Sequence, residues 1–205
     1  MKKLHKLLLV TVFLLAGMVT VSFYCCMSPA QKADANPADM TIPQMVAKGK
    51  YLVTVTGCND CHSPKIMTQM GPMVDSTKPL SGSPEGMKLA SIDTNQITPG
   101  KWYLGSADLT AWVGPWGISY AANLTPDTNT GTGSWTEETF IKIIRSGKFM
   151  GVDAGRPIMP PMPVEDFKTF SDNDLKCILA YLKSLKPIKN HVHDYVPPPA
   201  IKSMM

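Results

Sequence analysis

Residues 57–62, G-C-N-D-C-H, constrain the fold of this 205-residue chain more than any other stretch. Two cysteines three positions apart and a histidine directly after them fit a redox-active dithiol, half of a zinc site, or a point of covalent haem attachment. A thioredoxin-like dithiol needs a βαβ setting, and none is apparent around this motif. A zinc site needs further ligands, and the other candidates, Cys177, His191 and His193, follow more than a hundred residues later.

Covalent haem attachment explains the spacing of the motif better than either alternative. Cys58 and Cys61 lie about one helical turn apart, so both sulfurs can reach the two vinyl groups of one porphyrin. His62, the next residue, is then directed at the iron. The sequence therefore predicts one haem c, with Cys58 and Cys61 as the covalent attachment points and His62 as an axial ligand.

The N-terminus is typical of an exported protein. Three lysines, at positions 2, 3 and 6, precede an uncharged apolar stretch at residues 7–26. About 20 apolar residues can span a bilayer, whereas small residues at 28–30 and 33–35 offer cleavage sites. Residues 1–26 are therefore predicted to be either a membrane anchor or a cleaved signal peptide, with the rest of the chain on the periplasmic side. Lipid attachment at Cys25 or Cys26 is disfavoured because Tyr24 precedes them.

The remaining length suits one domain between a linker and a tail. We expect a linker at residues 27–40, a domain at 41–189 and a Pro-rich C-terminal tail at 190–205. Much of the formal net charge of +4 comes from the N-terminal lysines. The nearly neutral remainder gives no indication of nucleic-acid binding. Two alternating histidines in the tail, His191 and His193, lack nearby further ligands and make only a weak metal motif.

Capping signals predict three helices in the domain. Each begins with a hydroxyl residue followed three positions later by Gln, Glu or Asp, in the pairs Thr41/Gln44, Ser134/Glu137 and Ser171/Asp174. The first helix should carry residues 58–62 at its C-terminal end. The second should end at Gly147 and the third before Pro187.

The second axial ligand decides between electron transfer and catalysis, because only an open sixth position on the iron admits a small molecule. Most of the 14 methionines are expected to be core residues. Met159 and Met162 differ because prolines stiffen the loop that carries them, R-P-I-M-P-P-M-P at residues 156–163. A thioether held on such a loop suits an axial ligand.

Four stretches together resemble the class I c-type cytochromes: G-C-N-D-C-H, residues 121–148 (AANLTPDTNTGTGSWTEETFIKIIRSGK), R-P-I-M-P-P-M-P and residues 171–187 (SDNDLKCILAYLKSLKP). More narrowly, the chain is similar to the haem domains of cytochrome subunits of membrane-bound alcohol and gluconate dehydrogenases, and to related single-haem cytochromes of bacterial respiratory chains. The resemblance implies an all-α domain with three main helices around one haem. It also implies that residues 67–122 form a long loop on the haem face. The apolar stretch at residues 7–26 adds an N-terminal hydrophobic helix to this expectation.

The same resemblance assigns site residues and a role. It places the axial methionine at Met162, with Met159 as the fallback. Asn123, Thr125 and Trp135 either hydrogen-bond the haem propionates or cap a turn. The expected function is electron transfer by a monohaem cytochrome, not an enzyme, between a quinol-oxidising complex or periplasmic dehydrogenase and a terminal oxidase. The alternatives are a haem enzyme or sensor with an open sixth position, and a subunit integral to a larger respiratory complex.

Overall fold

The computed structural model describes residues 40–198. The predicted signal peptide or anchor at residues 1–26, its hydrophobic helix, almost all of the predicted linker and the end of the predicted tail lie outside this range. Across residues 40–198, no helix combines the length and the apolar character needed to cross a membrane.

Five helices and five short strands make up the described chain. The helices are α1 (Ile42–Val55), α2 (Cys58–His62), α3 (Glu137–Ser146), α4 (Val164–Phe167) and α5 (Asp172–Ser184), with 3₁₀ turns at Thr94–Gln96 and Phe149–Gly151. The strands are β1 (Lys65–Thr68), β2 (Gly71–Val74), β3 (Leu104–Gly105), β4 (Ala111–Gly114) and β5 (Gly117–Tyr120).

The capping signals position two of the three main helices correctly. α1 begins with the predicted box, in which the Thr41 backbone N–H donates to Gln44 Oε1 at 2.8 Å. α5 begins at the predicted cap, where the Asp174 N–H donates to Ser171 Oγ at 3.1 Å. The N-cap of α3 is Thr136, so the prediction of Ser134 was wrong by two residues.

The C-x-x-C-H motif was predicted to lie at the C-terminal end of the first helix. This is wrong, because the motif forms a helix of its own. α1 ends at Val55, and Gly57 takes a left-handed conformation with φ of 68° before α2 begins at Cys58. A residue with a side chain adopts this conformation only at a cost of about 1 kcal/mol or more. Gly57 therefore allows the chain to turn between the two helices.

The prediction of an all-α domain is wrong, because residues 65–120 contain two small antiparallel sheets. One is the β1–β2 hairpin, and the other has the order β3–β4–β5. Gly117, with φ of 112°, closes the β4–β5 turn and brings Val113 opposite Ile118. Prolines and glycines mark the tight turns within the two sheets, whose strands have two to four residues, whereas residues 75–103 between β2 and β3 contain no strand and only the 3₁₀ turn at Thr94–Gln96.

The apolar core divides into a large helical cluster and a small cluster on the three-stranded sheet. The helical cluster comprises Val53, Leu80, Phe140, Ile144, Phe167, Leu175, Ile178, Leu179 and Leu182. The sheet cluster has three buried members, Ile97, Val113 and Ile118. Among the described elements, α1 packs most extensively against α5. A Cβ on Gly49 of α1 would lie 1.9 Å from the carbonyl oxygen of Cys177 on α5, so the two backbones meet at this glycine.

Candidate haem site

The two motif cysteines lie on α2 as separate thiols. Cys58 and Cys61 are both partly buried and form no disulfide. Burial raises the pKa of the Cys58 thiol, and contact with the Thr56 hydroxyl, 3.4 Å from Sγ, opposes that rise without cancelling it. Burial likewise raises the pKa of Cys61. Both sulfurs are therefore protonated at neutral pH and available for thioether bonds.

His62 is held so that one ring nitrogen faces the protein and the other is free to bind a metal. Its Nδ1 lies 2.8 Å from the carbonyl oxygen of Ala122. Because a carbonyl only accepts, Nδ1 carries the proton and Nε2 keeps its lone pair. Burial of the imidazole lowers the pKa of His62, which favours the neutral ring. This is the state that coordinates iron.

A glycine fixes the backbone around His62. The Gly82 N–H donates to the His62 carbonyl at 2.7 Å, and the neighbouring Ser83 N–H donates to the carbonyl of Ala121 at 2.8 Å. Gly82 has φ of 80°, and a Cβ there would lie 2.6 Å from backbone atoms of residues 121–123. Only glycine fits between the two segments that hold the imidazole.

The loop that carries Met159 and Met162, residues 156–163 and here named the methionine loop, is held at three points. The Ile158 N–H donates to the Gly147 carbonyl at 2.8 Å, and the Phe149 N–H donates to the Arg156 carbonyl at 2.9 Å. From the sheet, Ser119 Oγ donates to the carbonyl of Pro160 at 2.6 Å. The loop therefore bridges the end of α3 and strand β5.

Both thiols, His62 and both candidate methionines line a single cavity of about 400 Å³, the central cavity. Most of its wall is apolar and comes from the helical cluster and the methionine loop. Met162 also packs against the helical cluster. The structure thus brings together the predicted attachment cysteines, His62 and both candidate axial methionines, although they are separated by about a hundred positions along the chain.

One polar atom of the cavity wall has no partner of its own. Trp112 Nε1 is buried and makes no well-formed hydrogen bond among residues 40–198, although it lies close enough to Cys61 to oppose the rise in the pKa of that thiol. A buried donor left unpaired costs about 1–3 kcal/mol. An apolar cavity that holds two thiols, an imidazole, two thioethers and an orphaned N–H fits a haem, whose edge carries both apolar and acceptor groups.

Asn123 and Thr125 serve the turn rather than the cavity. Asn123 Oδ1 accepts from the Thr125 N–H at 3.0 Å and from its hydroxyl at 2.7 Å. Asn123 Nδ2 donates to the Ile188 carbonyl at 2.8 Å. Of the three residues considered for the haem propionates, Trp135 lines the central cavity, where its ring stacks on Phe140 at 6.2 Å between centroids.

The zinc alternative has no support in the geometry. Of the further ligands considered, Cys177 is buried on α5 and does not line the central cavity, whereas His193 does. No group of three or more His, Cys, Asp or Glu side chains within residues 40–198 could hold a metal ion.

The family model for cytochrome c matches residues 46–186, more than half of the chain. This range contains the C-x-x-C-H motif and the methionine loop. The chain belongs to the cytochrome c family.

Its relatives include cytochrome c subunits of dehydrogenases. The chain is 29% identical over 181 residues to the cytochrome c subunit of alcohol dehydrogenase (quinone) from Gluconacetobacter polyoxogenes, covering 87% of this chain and 32% of that protein. The corresponding subunit from Gluconobacter oxydans is 26% identical, with coverage of 84% and 26%. The gluconate 2-dehydrogenase cytochrome c subunit from Pantoea cypripedii is 27% identical, with coverage of 70% and 24%. The chain therefore spans about a third or less of the length of these relatives.

The family assignment confirms two sequence predictions. A cytochrome c domain carries covalently bound haem c, and its role is to transfer electrons. The resemblance to cytochrome subunits of alcohol and gluconate dehydrogenases is confirmed as well. The individual assignments of Cys58, Cys61, His62 and Met162 stay predictions.

Residues 190–205 were predicted to be a tail. This prediction missed the contacts that residues 190–198, here named the C-terminal strap, make with this cytochrome c domain. His193 and Tyr195 line the central cavity, although the strap lies beyond the matched range. The Tyr195 hydroxyl donates to the carbonyl of Trp116, and the Arg156 guanidinium lies 5.5 Å from the centre of the Tyr195 ring. The sequence held no signal for these contacts, since they depend on pairing between residues far apart along the chain.

Proposed function

We propose that this cytochrome c domain is a monohaem electron carrier in which Cys58 and Cys61 hold the haem and His62 and Met162 are its axial ligands. The observation that carries the proposal is the convergence of these four side chains on one apolar cavity. Bound there, a haem iron alternates between Fe(III) and Fe(II) and so takes up or releases one electron.

The chain's own residues give this site its rigidity. The hydrogen bond between His62 Nδ1 and the Ala122 carbonyl fixes the imidazole, and three contacts fix the methionine loop. The largely apolar walls limit the access of water to the cavity. A site that rearranges little between two oxidation states exchanges electrons quickly, which suits a carrier.

Met162 is the better of the two candidate axial methionines because of its surroundings. Both thioethers line the cavity, and both side chains are partly buried. Met162, however, also packs against the helical cluster. Contact with this core restricts the rotamers of a flexible side chain and so lowers the entropic cost of holding its sulfur in place.

We infer partners and location from the sequence, with support from the relatives. We place the chain on the periplasmic side of the cytoplasmic membrane, anchored by residues 1–26 or released by their cleavage. The relatives are named as cytochrome c subunits of alcohol, gluconate and fructose dehydrogenases. A periplasmic dehydrogenase or quinol-oxidising complex is therefore the proposed donor, and a terminal oxidase the proposed acceptor. The mass of the mature protein tests haem addition, processing and lipid attachment in one measurement.

The axial assignment is tested by two matched substitutions, Met162→Ala and Met159→Ala. We expect the oxidised wild-type protein to show the weak far-red band of methionine bound to ferric haem. Met162→Ala should abolish this band and admit carbon monoxide to the reduced protein, whereas Met159→Ala should leave both properties unchanged.

The other outcomes discriminate between hypotheses. Loss of the band only in Met159→Ala would transfer the ligand role to Met159. A wild-type protein without the band, combined with rapid cyanide or carbon monoxide binding, would contradict the carrier and support a haem enzyme or sensor.

A further inference from the structure

Lys65, three residues after His62, holds the end of the haem-attachment helix. Its Nζ donates to the carbonyl oxygens of Ser63 at 2.9 Å, of Asn59 at 3.5 Å and of Asp60. These are carbonyls of α2 and its C-cap, which the helix itself leaves without partners. The helix ends with a concentration of partial negative charge, and the ammonium group lies against it.

The geometry identifies the side chain as a fixed cation. An ammonium has three N–H donors and no acceptor, and three carbonyls receive them here. A neutral amine has only two N–H donors, so it would direct its lone pair at one of these carbonyl oxygens, which is unfavourable because a carbonyl oxygen only accepts. The side chain is partly buried, so salt screens its charge less than it screens that of an exposed lysine.

The charge lies beside the covalent attachment point. Burial lowers the pKa of Lys65, and three ionisable groups, Asp108, Cys61 and Asp60, lie close enough to its ammonium to offset that fall in part without cancelling it. Of these, Cys61 is a predicted haem-attachment residue and lines the central cavity. Lys65 therefore places a positive charge at the Cys61 side of the proposed haem, partly offset by Asp60 and Asp108.

We propose that Lys65 is a positioning residue that holds the Cys58–His62 helix and raises the reduction potential of the site through its charge. Reduction adds one electron, supplied by the donor protein, and a nearby cation stabilises the reduced state more than the oxidised state. This inference rests on the proposed function, since it needs haem attached at Cys58 and Cys61. It assigns a role that neither the motif nor the family match gives to this residue.

The test compares four variants of the full-length haem-loaded protein by spectroelectrochemical titration at neutral pH and low salt. Lys65→Met removes both charge and donors, Lys65→Gln removes the charge and keeps a donor, and Lys65→Arg keeps both. Lys101→Met is the matched control, because the Lys101 ammonium donates to the Asn95 carbonyl at 2.9 Å on an exposed loop away from the cavity.

We expect a lower potential in Lys65→Met and Lys65→Gln, and a value near wild type in Lys65→Arg and Lys101→Met. The far-red methionine band should persist in all four variants, which separates a charge effect from loss of the ligand. If Lys65→Met fails to accumulate with haem, Lys65→Gln carries the comparison. The positioning role is tested by the fraction of chains that carry haem, which is measured by mass spectrometry.

An unchanged or raised potential in Lys65→Gln and Lys65→Met would overturn the proposal, as would an equal fall in Lys101→Met. Failure of the proposed function looks different. It would appear in the wild-type protein itself, as absence of haem or of the methionine band.

Discussion

The helices and the small sheets of this domain bury apolar surface to very different extents. The helical cluster has nine buried members drawn from elements far apart in the chain, whereas the sheet cluster has three. On the β1–β2 hairpin, Ile66, Met67, Met70 and Met73 are all more than half exposed. The helical part can therefore supply most of the folding free energy, and the sheet part must depend on hydrogen bonds and on contacts with its neighbours.

The two parts meet at the central cavity and contribute different things to it. The helical part provides α2 with both thiols and His62, together with the apolar wall. The sheet part provides the Ala122 carbonyl that orients His62 and the Ser119 hydroxyl that holds Pro160. The well-packed helical part thus carries the two thiols and His62. The less buried sheet part fixes the orientation of the His62 ring and the position of the methionine loop.

The largest expected effect follows from adding one carbon where α1 meets α5. Gly49→Ala would place its Cβ 1.9 Å from the Cys177 carbonyl oxygen and 2.8 Å from Tyr181 Cβ, so the two helices must separate. We expect a loss of about 3 kcal/mol or more in the free energy of unfolding. Urea unfolding followed by circular dichroism measures it.

The matched control for that substitution is Gly100→Ala in an exposed loop. A Cβ there has no neighbour within 4 Å, and only the φ of 82° opposes it. We expect a cost of about 1–2 kcal/mol from backbone strain alone. An equal cost at both glycines would show that the close approach of the helices contributes nothing to stability.

The second prediction compares one truncation in each cluster. Leu182→Ala, at a residue 1% exposed in the helical cluster, should cost about 3 kcal/mol of global stability. Ile118→Ala, at 4% exposed in the sheet cluster, should cost about half as much, because a three-residue cluster relaxes more easily around the cavity left behind.

Hydrogen exchange distinguishes the two truncations further. Ile118→Ala should accelerate exchange in β4 and β5 and leave α1 and α5 protected. Leu182→Ala should raise exchange in all elements together. Uniform acceleration in both variants would mean that the helices and the sheet unfold as one cooperative unit.

The same contrast explains which features the sequence could reveal. The helices were found because caps and apolar periodicity are local signals, such as Ser171 with Asp174 for α5. The candidate site could be predicted because C-x-x-C-H and the methionines between prolines are local signals as well. The sheets were missed because strands of two to four residues give no resolvable alternation. Gly82, Lys65 and the C-terminal strap were missed because their roles depend on contacts that appear only in the folded chain.

The third prediction concerns Asn190, which joins the C-terminal strap to residues 81–85. Its Nδ2 donates to the carbonyls of Ser81 at 2.6 Å and Ser83 at 2.8 Å, and its Oδ1 accepts from the Glu85 N–H at 2.8 Å. Asn190→Ala leaves these backbone groups without partners, two of them in a buried setting, and should cost about 2 kcal/mol.

Asn129→Ala serves as the control for Asn190→Ala, since Asn129 is exposed and hydrogen-bonds there through its backbone N–H. We expect this control to change stability by less than about 0.5 kcal/mol. Limited proteolysis should release the strap faster in Asn190→Ala. Equal cleavage of both variants would show that Asn190 does not hold the strap to the domain.

The smallest expected effect is a pH-dependent one within the helical part. Lys48 on α1 and Asp174 on α5 form a salt bridge at 2.8 Å, with side chains 26% and 22% exposed. Burial raises the pKa of Asp174, but hydrogen bonds from Lys48 and Ser171 and the Lys48 charge outweigh it, so the net pKa is lowered. A lowered folded-state pKa stabilises the protein above the unfolded value, near 3.9, and that stabilisation is lost as the pH falls through the folded value.

Asp174→Asn should therefore cost about 1 kcal/mol at pH 7, and the difference from wild type should vanish in strong acid, as urea titrations at each pH would show. Glu165→Gln is the control: its pair with Lys168 lies at 2.6 Å, but the glutamate is 84% exposed, so water screens the interaction. A loss in Asp174→Asn that persists unchanged in acid would show that the N-terminal cap of α5, rather than its ion pair with α1, gives this residue its effect. The attraction between the two helices would then come from their packing, including the close approach of their backbones at Gly49, and not from the charge pair.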